Sequence, residues 1–157
     1  MFRRSDAQRE WFQKIGSEAP FRVDFDQWYL CFLLGIVTGR KEQLESGKDL
    51  VDYFVEDYKL VQNLIVGMLI IAELKSLEID MSEKAAVRGQ IERLLDSREH
   101  SSLTAEGIQA ANAYAEGGFR YLKQQVGDLG RPEDTGIFLI KYSQYLEAAV
   151  AQSAFCK

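Results

Sequence analysis

Apolar residues in this chain recur mostly every three or four positions, the spacing of one face of an α-helix. Near the start, Ala7, Trp11 and Ile15 share such a face, and Gly16 to Pro20 breaks the segment. From Trp28 to Val37 the run WYLCFLLGIV carries no charge. Asp24 or Asp26 caps the helix that contains it, and Gly39 ends it, with Arg40 and Lys41 at the C-terminal carbonyls. A second pattern starts at Asp49, with Leu50, Tyr53, Phe54 and Tyr58 on one side. It continues through Leu60, Leu64, Met68, Ile71, Leu74 and Leu77. About thirty residues exceed an ordinary globular helix, which predicts a kink or break near Glu56–Tyr58. Between Leu64 and Ile71 apolar side chains cover nearly the whole circumference, and a helix of that kind is usually central.

Further along, Ser82 reads as an N-cap for a helix with Val87, Ile91 and Leu94 in a narrow stripe, and DSREHSS (Asp96–Ser102) reads as a polar loop. Thr104 caps a helix whose stripe is Ile108, Ala111, Ala115, Phe119, Leu122 and Val126. GDLGRPED (Gly127–Asp134) supplies a stop and a restart, with Pro132 suited to a first helical turn. A last helix is expected from Glu133 to Ala154 on Leu139, Tyr142, Leu146 and Val150. No segment alternates convincingly with period two, and no repeat has a solenoid period. The expected fold is therefore all-α, a single-domain bundle of five to seven helices over residues 1–157. Its two central apolar helices are Asp26–Thr38 and Tyr58–Leu77. Gly117 and Gly118 cost helix propensity, about 1 kcal/mol each, which predicts a neighbouring helix packed close against them. Gly35 and Gly67 are expected to do the same for each other.

Composition narrows the class. A chain of 157 residues can bury a substantial core, and 46% hydrophobic with 27% charged residues is globular composition. The apolar runs are too short for a membrane span, which needs about 20 residues, so no membrane association is expected. The formal charge of −5 argues against a broad basic surface. No secretory pattern opens the sequence, and Cys31 and Cys156 lie far apart; the expected compartment is a reducing cytoplasm. GIVTGRK (Gly35–Lys41) is not a phosphate loop: three residues rather than four separate its glycines, Arg40 precedes the lysine, and Glu42 follows it.

Candidate chemistry is sparse. His100 is the one histidine and lies in a polar loop beside Ser101, so a nucleophilic triad has no base on a rigid element. One histidine and two isolated cysteines do not make a zinc set, and no cofactor is expected. Cys31, between Leu30 and Phe32, reads as a small buried hydrophobe rather than a reactive thiol. Asp49, Asp52 and Glu56 recur at helical spacing and offer one carboxylate face for magnesium if another helix opposes it. Helical nucleotide pyrophosphohydrolases pair an E-x-x-E motif with an E-x-x-D motif on the next helix. Glu42 and Glu45 give the first, and the second is missing. Arg3, Arg4, Arg120 and Lys123 are candidate phosphate contacts. LTAEGIQAANAY (Leu103–Tyr114) is faintly similar to a winged-helix phrase but has no wing strands beside it.

What remains is protein contact, with Trp11, Phe12 and Phe2 near the N-terminus and Tyr142 and Tyr145 near the C-terminus as candidate anchors. The sequence is best read as a non-catalytic accessory or adaptor subunit, contacting a protein partner or forming a homo-oligomer. The setting that small helical proteins without catalytic residues bring to mind is a bacterial multiprotein defence or nucleic-acid-processing assembly. The alternatives are a small helical DNA-binding protein, with DNA met within a complex, and a magnesium-dependent helical nucleotide hydrolase.

Overall fold

The computed structural model describes residues 1–15, 21, 24–127 and 134–153. Among them are six α-helices: α1 (Asp6–Gln13), α2 (Asp24–Thr38), α3 (Gln62–Ser76), α4 (Lys84–Leu94), α5 (Ala105–Val126) and α6 (Thr135–Gln152). The two-residue strands β1 (Arg3–Arg4) and β2 (Lys48–Asp49) pair, and a 3₁₀ helix at Glu56–Val61 leads into α3. The protein is an all-α bundle. The chain divides into two compact units, one of Met1–Phe2 with Asp49–Ala111, the other of Arg3–Lys48 with Asn112–Lys157.

In the second of these units α2 is the core helix. Phe25, Trp28, Cys31, Phe32, Leu34 and Ile36 are all buried. Asp24 and Asp26 sit in its first turn, where carboxylates face the unpaired amides. Gly39, at a φ of 68°, ends the helix, and the Arg40 amide turns back to donate to the Gly35 carbonyl at 3.1 Å. A Cβ at Gly35 would collide with the Tyr114 carbonyl, and one at Gly118 with the Cys31 carbonyl. The two glycines thus let α2 and α5 cross with backbones nearly touching. Gly35 is matched by α5, not by Gly67, around which a Cβ would meet nothing within 4 Å. Near this crossing the Trp28 indole donates to Asn112 Oδ1 at 3.1 Å. α6 begins where Asp134 accepts from the Ile137 amide at 2.9 Å, and lays Phe138, Tyr142 and Ala149 inward. Glu133, Pro132, Ala154 and Cys156 lie outside the described residues.

In the other unit the helix expected from Asp49 does not form. The Phe2 amide donates to Val51 O at 2.8 Å, Phe2 O accepts from the Leu50 amide at 2.9 Å, and Phe2 packs on Phe54 with ring centroids 5.1 Å apart. Tertiary pairing in extended backbone here overrides a weak helical periodicity. Ser82 is not a cap either. Its amide and hydroxyl both donate to the Asp80 carboxylate, at 2.8 and 2.5 Å, in a turn before α4, and Glu83 precedes the helix without a side-chain cap bond. Thr104 does cap α5, its Oγ1 accepting from the Gly107 amide at 3.1 Å. α4 packs on α3. There Arg93 reaches the buried Glu73 at 2.6 Å and also approaches Glu106 at 3.4 Å.

Candidate functional site

α3 is apolar around its circumference, yet only one side of it is covered. Ile65, Val66, Leu69, Ala72 and Leu74 are buried, while Leu64 is 60% exposed and Ile71 41%. Leu60, in the preceding 3₁₀ turn, is 98% exposed. Leu60, Leu64 and Ile71 follow one another at spacings of four and seven, and Gly67 lies on the same line with open space beside it. Met68 next to it is half-buried. The stripe from Leu60 to Ile71 is about 17 Å long at helical rise. A leucine left almost wholly in water is unexceptional alone; aligned with two further aliphatic side chains and a bare glycine, it makes an apolar face.

Charge is distributed unevenly around that face. The unit made of Met1–Phe2 and Asp49–Ala111 has six Lys and Arg against twelve Asp and Glu, a formal charge of −6. The other unit has thirteen against twelve, or +1, which restores the total of −5. Along the chain Asp52, Glu56 and Asp57 precede the stripe, and Glu78, Asp80 and Glu83 follow it together with Lys75 and Lys84, all exposed. Lys59 lies between the first three and Leu60, but its ammonium is held by Glu56 at 2.6 Å. The one buried acid of this region, Glu73, is neutralised by Arg93 and adds nothing to the surface field.

The residues singled out from sequence land elsewhere. Phe12 is buried, packed edge-on against Phe138 at 5.8 Å, and Tyr142 is buried with its hydroxyl donating to the Leu30 carbonyl at 2.7 Å. Neither ring lies at the surface; both close the core, because each finds aromatic or backbone neighbours across α1, α2 and α6. Trp11 is half-buried, edge-on to Phe119 and Phe138 at 6.0 and 5.8 Å, and Tyr145 is half-buried. Arg4 is only 3% exposed, bonded to Gln27 and paired with Asp24 at 3.0 Å, and burial holds its pKa below the usual value. It is an interior cation, paired within the fold. Arg3 is exposed, with its backbone amide on Asn112. Arg120 lies 3.6 Å from Glu116 and 3.9 Å from Glu42, and the Lys123 ammonium sits 5.6 Å over the Phe119 ring.

The chemical candidates are not assembled either. Asp49 belongs to β2, Asp52 to the loop and Glu56 to the 3₁₀ turn, so no helical face aligns the three carboxylates. Among the described residues no group of three His, Cys, Asp or Glu is placed to hold a metal ion. His100 is exposed while neighbouring Ser101 is buried, its hydroxyl accepting from the Leu103 amide at 3.3 Å. Cys31 is fully buried, and burial pushes its thiol up to about 12. It stays protonated, which removes the thiolate a nucleophile needs. Among the described residues no helix is long and apolar enough to cross a membrane.

Beyond the all-α class that the fold defines, comparison adds no relative: the chain matches no protein-family model, no curated protein and no solved structure.

Proposed function

We propose that this chain is a non-catalytic accessory subunit of the cytoplasm that works by docking a helix face on another protein. The observation that carries this reading is the uncovered apolar side of α3, with Leu60, Leu64 and Ile71 in water. Their exposures together amount to about two fully exposed side chains, so covering them contributes about 3–6 kcal/mol. Association costs at least about 4 kcal/mol in lost freedom of motion. The stripe therefore holds a partner only if that partner adds apolar side chains or charge of its own, which is the behaviour of a specific docking face.

The two alternatives have less support. A DNA-binding role draws on Arg3, Arg4, Arg120 and Lys123, of which Arg4 is interior and Arg120 lies beside two carboxylates. A magnesium-dependent hydrolase draws on Asp49, Asp52 and Glu56, which share no helical face.

Affinity capture of the tagged protein from its native cells, nuclease-treated and in low and moderate salt, separates the three. The adaptor reading expects one protein at fixed stoichiometry that survives nuclease and is lost with Leu64→Glu. Nuclease-sensitive material alone would instead establish nucleic-acid binding, whose affinity falls steeply with salt. Thermal stabilisation by magnesium with a nucleotide would establish the hydrolase. Recovery of the chain alone refutes the adaptor role.

A further inference from the structure

We infer that the occupant of the α3 face is a basic amphipathic helix of a partner protein. The inference rests on the docking reading above and names the chemistry of what docks. Three features of the face define that chemistry. Its centre is aliphatic: Leu60, Leu64 and Ile71 are exposed at spacings of four and seven. Gly67, in the middle of the line, leaves open space where any other residue would place a Cβ. A large aliphatic side chain of the partner fits over that gap, and the two helix axes can approach more closely there than at any branched residue. Acidic side chains outnumber basic ones around both ends of the stripe, Asp52, Glu56 and Asp57 against Lys59 before it and Glu78, Asp80 and Glu83 against Lys75 and Lys84 after it, in a unit of net charge −6. A complementary helix is therefore apolar along one stripe of about three turns and carries Lys or Arg beyond each end of it.

The same charges disfavour a second copy of the chain. Each copy would bring a unit of net charge −6 to the contact, and like charge facing like charge costs association.

The test uses the intact protein and a designed probe, a labelled peptide of about 18 residues, long enough for five turns. Leucines at i, i+3, i+4 and i+7 fill one face and lysines the rest. Fluorescence anisotropy is recorded against the protein at several salt concentrations. Two controls accompany it: the same residues shuffled to abolish the face, and the matching Leu/Glu peptide. The Leu/Lys helix is expected to bind at least about tenfold more tightly than either control, with affinity falling as salt rises. Leu64→Glu is expected to cost about tenfold. The double variant Asp57→Lys with Glu78→Lys alters exposed positions outside α3 and leaves its packing intact; it is expected to weaken the Leu/Lys peptide and to favour Leu/Glu. Equal binding of the shuffled peptide, an unchanged affinity for Leu64→Glu, or indifference to the charge reversal overturns the inference. So does a dimer by sedimentation equilibrium that dissociates on Leu64→Glu, since a second copy then covers the face. A partner captured from cells that Leu64→Glu loses, together with no binding of the Leu/Lys peptide, rejects the basic helix alone and leaves the adaptor role standing. The absence of any captured partner rejects the adaptor role.

Discussion

Gly118→Ala and Gly67→Ala are the same chemical change in two helices, and the structure gives them opposite signs. In an unobstructed helix, alanine is more favourable than glycine by about 1 kcal/mol, because it loses less backbone freedom on folding. At Gly67 nothing lies within 4 Å of the added methyl group, so the full gain is expected. At Gly118 the methyl group would collide with the Cys31 carbonyl and sit 2.5 Å from the Gly35 amide nitrogen. Both obstructing groups are backbone of α2, whose flanking side chains Cys31, Phe32 and Leu34 are fully buried, so no side chain can rotate away. Relief requires α2 to move as a rod, which puts the overpacking cost at the upper end of its usual span, about 3 kcal/mol, from which the propensity gain of about 1 kcal/mol is subtracted. We expect Gly118→Ala to lower unfolding free energy by about 2 kcal/mol and Gly67→Ala to raise it by about 1 kcal/mol. In urea titrations read by circular dichroism and by tryptophan fluorescence, the two midpoints should move in opposite directions. A neutral or stabilising Gly118→Ala would refute the close crossing of α2 and α5 on which the placement of Trp28, Asn112 and Cys31 depends.

Other consequences are as direct. Arg93→Met removes the cation that the buried Glu73 carboxylate meets at 2.6 Å and should cost about 3–5 kcal/mol by denaturant titration, whereas Glu73→Leu combined with Arg93→Met should recover most of the loss. Cys31 should resist an aromatic disulfide reagent at pH 8 in the folded protein and react only when the chain is unfolded, since its thiol titrates near 12 and is fully buried. The Asp96 carboxyl, bonded to Arg98 at 2.8–3.0 Å, is held down to about 2. Its folded-state value lies below the unfolded one, so its contribution is present above the ordinary carboxylate range and is lost as the pH falls toward 2. Carbon-detected NMR titration of Asp96 should show that midpoint, and Arg98→Gln should raise it part of the way, since the backbone amide at position 98 still donates to the carboxylate at 3.0 Å.

The sequence carried the second unit well. In its part of α5 the spacing of Ala115, Phe119 and Leu122 is the buried stripe observed, and in α2 the uncharged run is the buried helix with Gly39 as its stop. Such patterns are legible because each position's burial follows from its own helix. The pairing of Gly118 with the Cys31 carbonyl was legible only as half a contact: a double glycine announces close approach without naming what approaches. The segment after Asp49 was misleading because extended pairing with Phe2, nearly fifty residues away in sequence, competes with a local periodicity that is real but weak. The candidate surface was hidden for a related reason. Leu60, Leu64 and Ile71 look like core, and whether a neighbour covers them is a property of packing that no spacing reveals. A usable signal was present in the acidic residues gathered around an all-apolar helix. Aromatic residues drew attention instead, and Phe12 and Tyr142 proved to be interior.

The most direct test of the account is site-specific photo-crosslinking in native cells. A crosslinking residue is placed at position 60, 64 or 71 in turn, and at the exposed α6 positions 144 and 148 for comparison. The account predicts that all three α3-side positions label the same protein and that the α6 positions do not. Labelling confined to α6, or no protein adduct from positions 60, 64 and 71 despite normal folding, would contradict it.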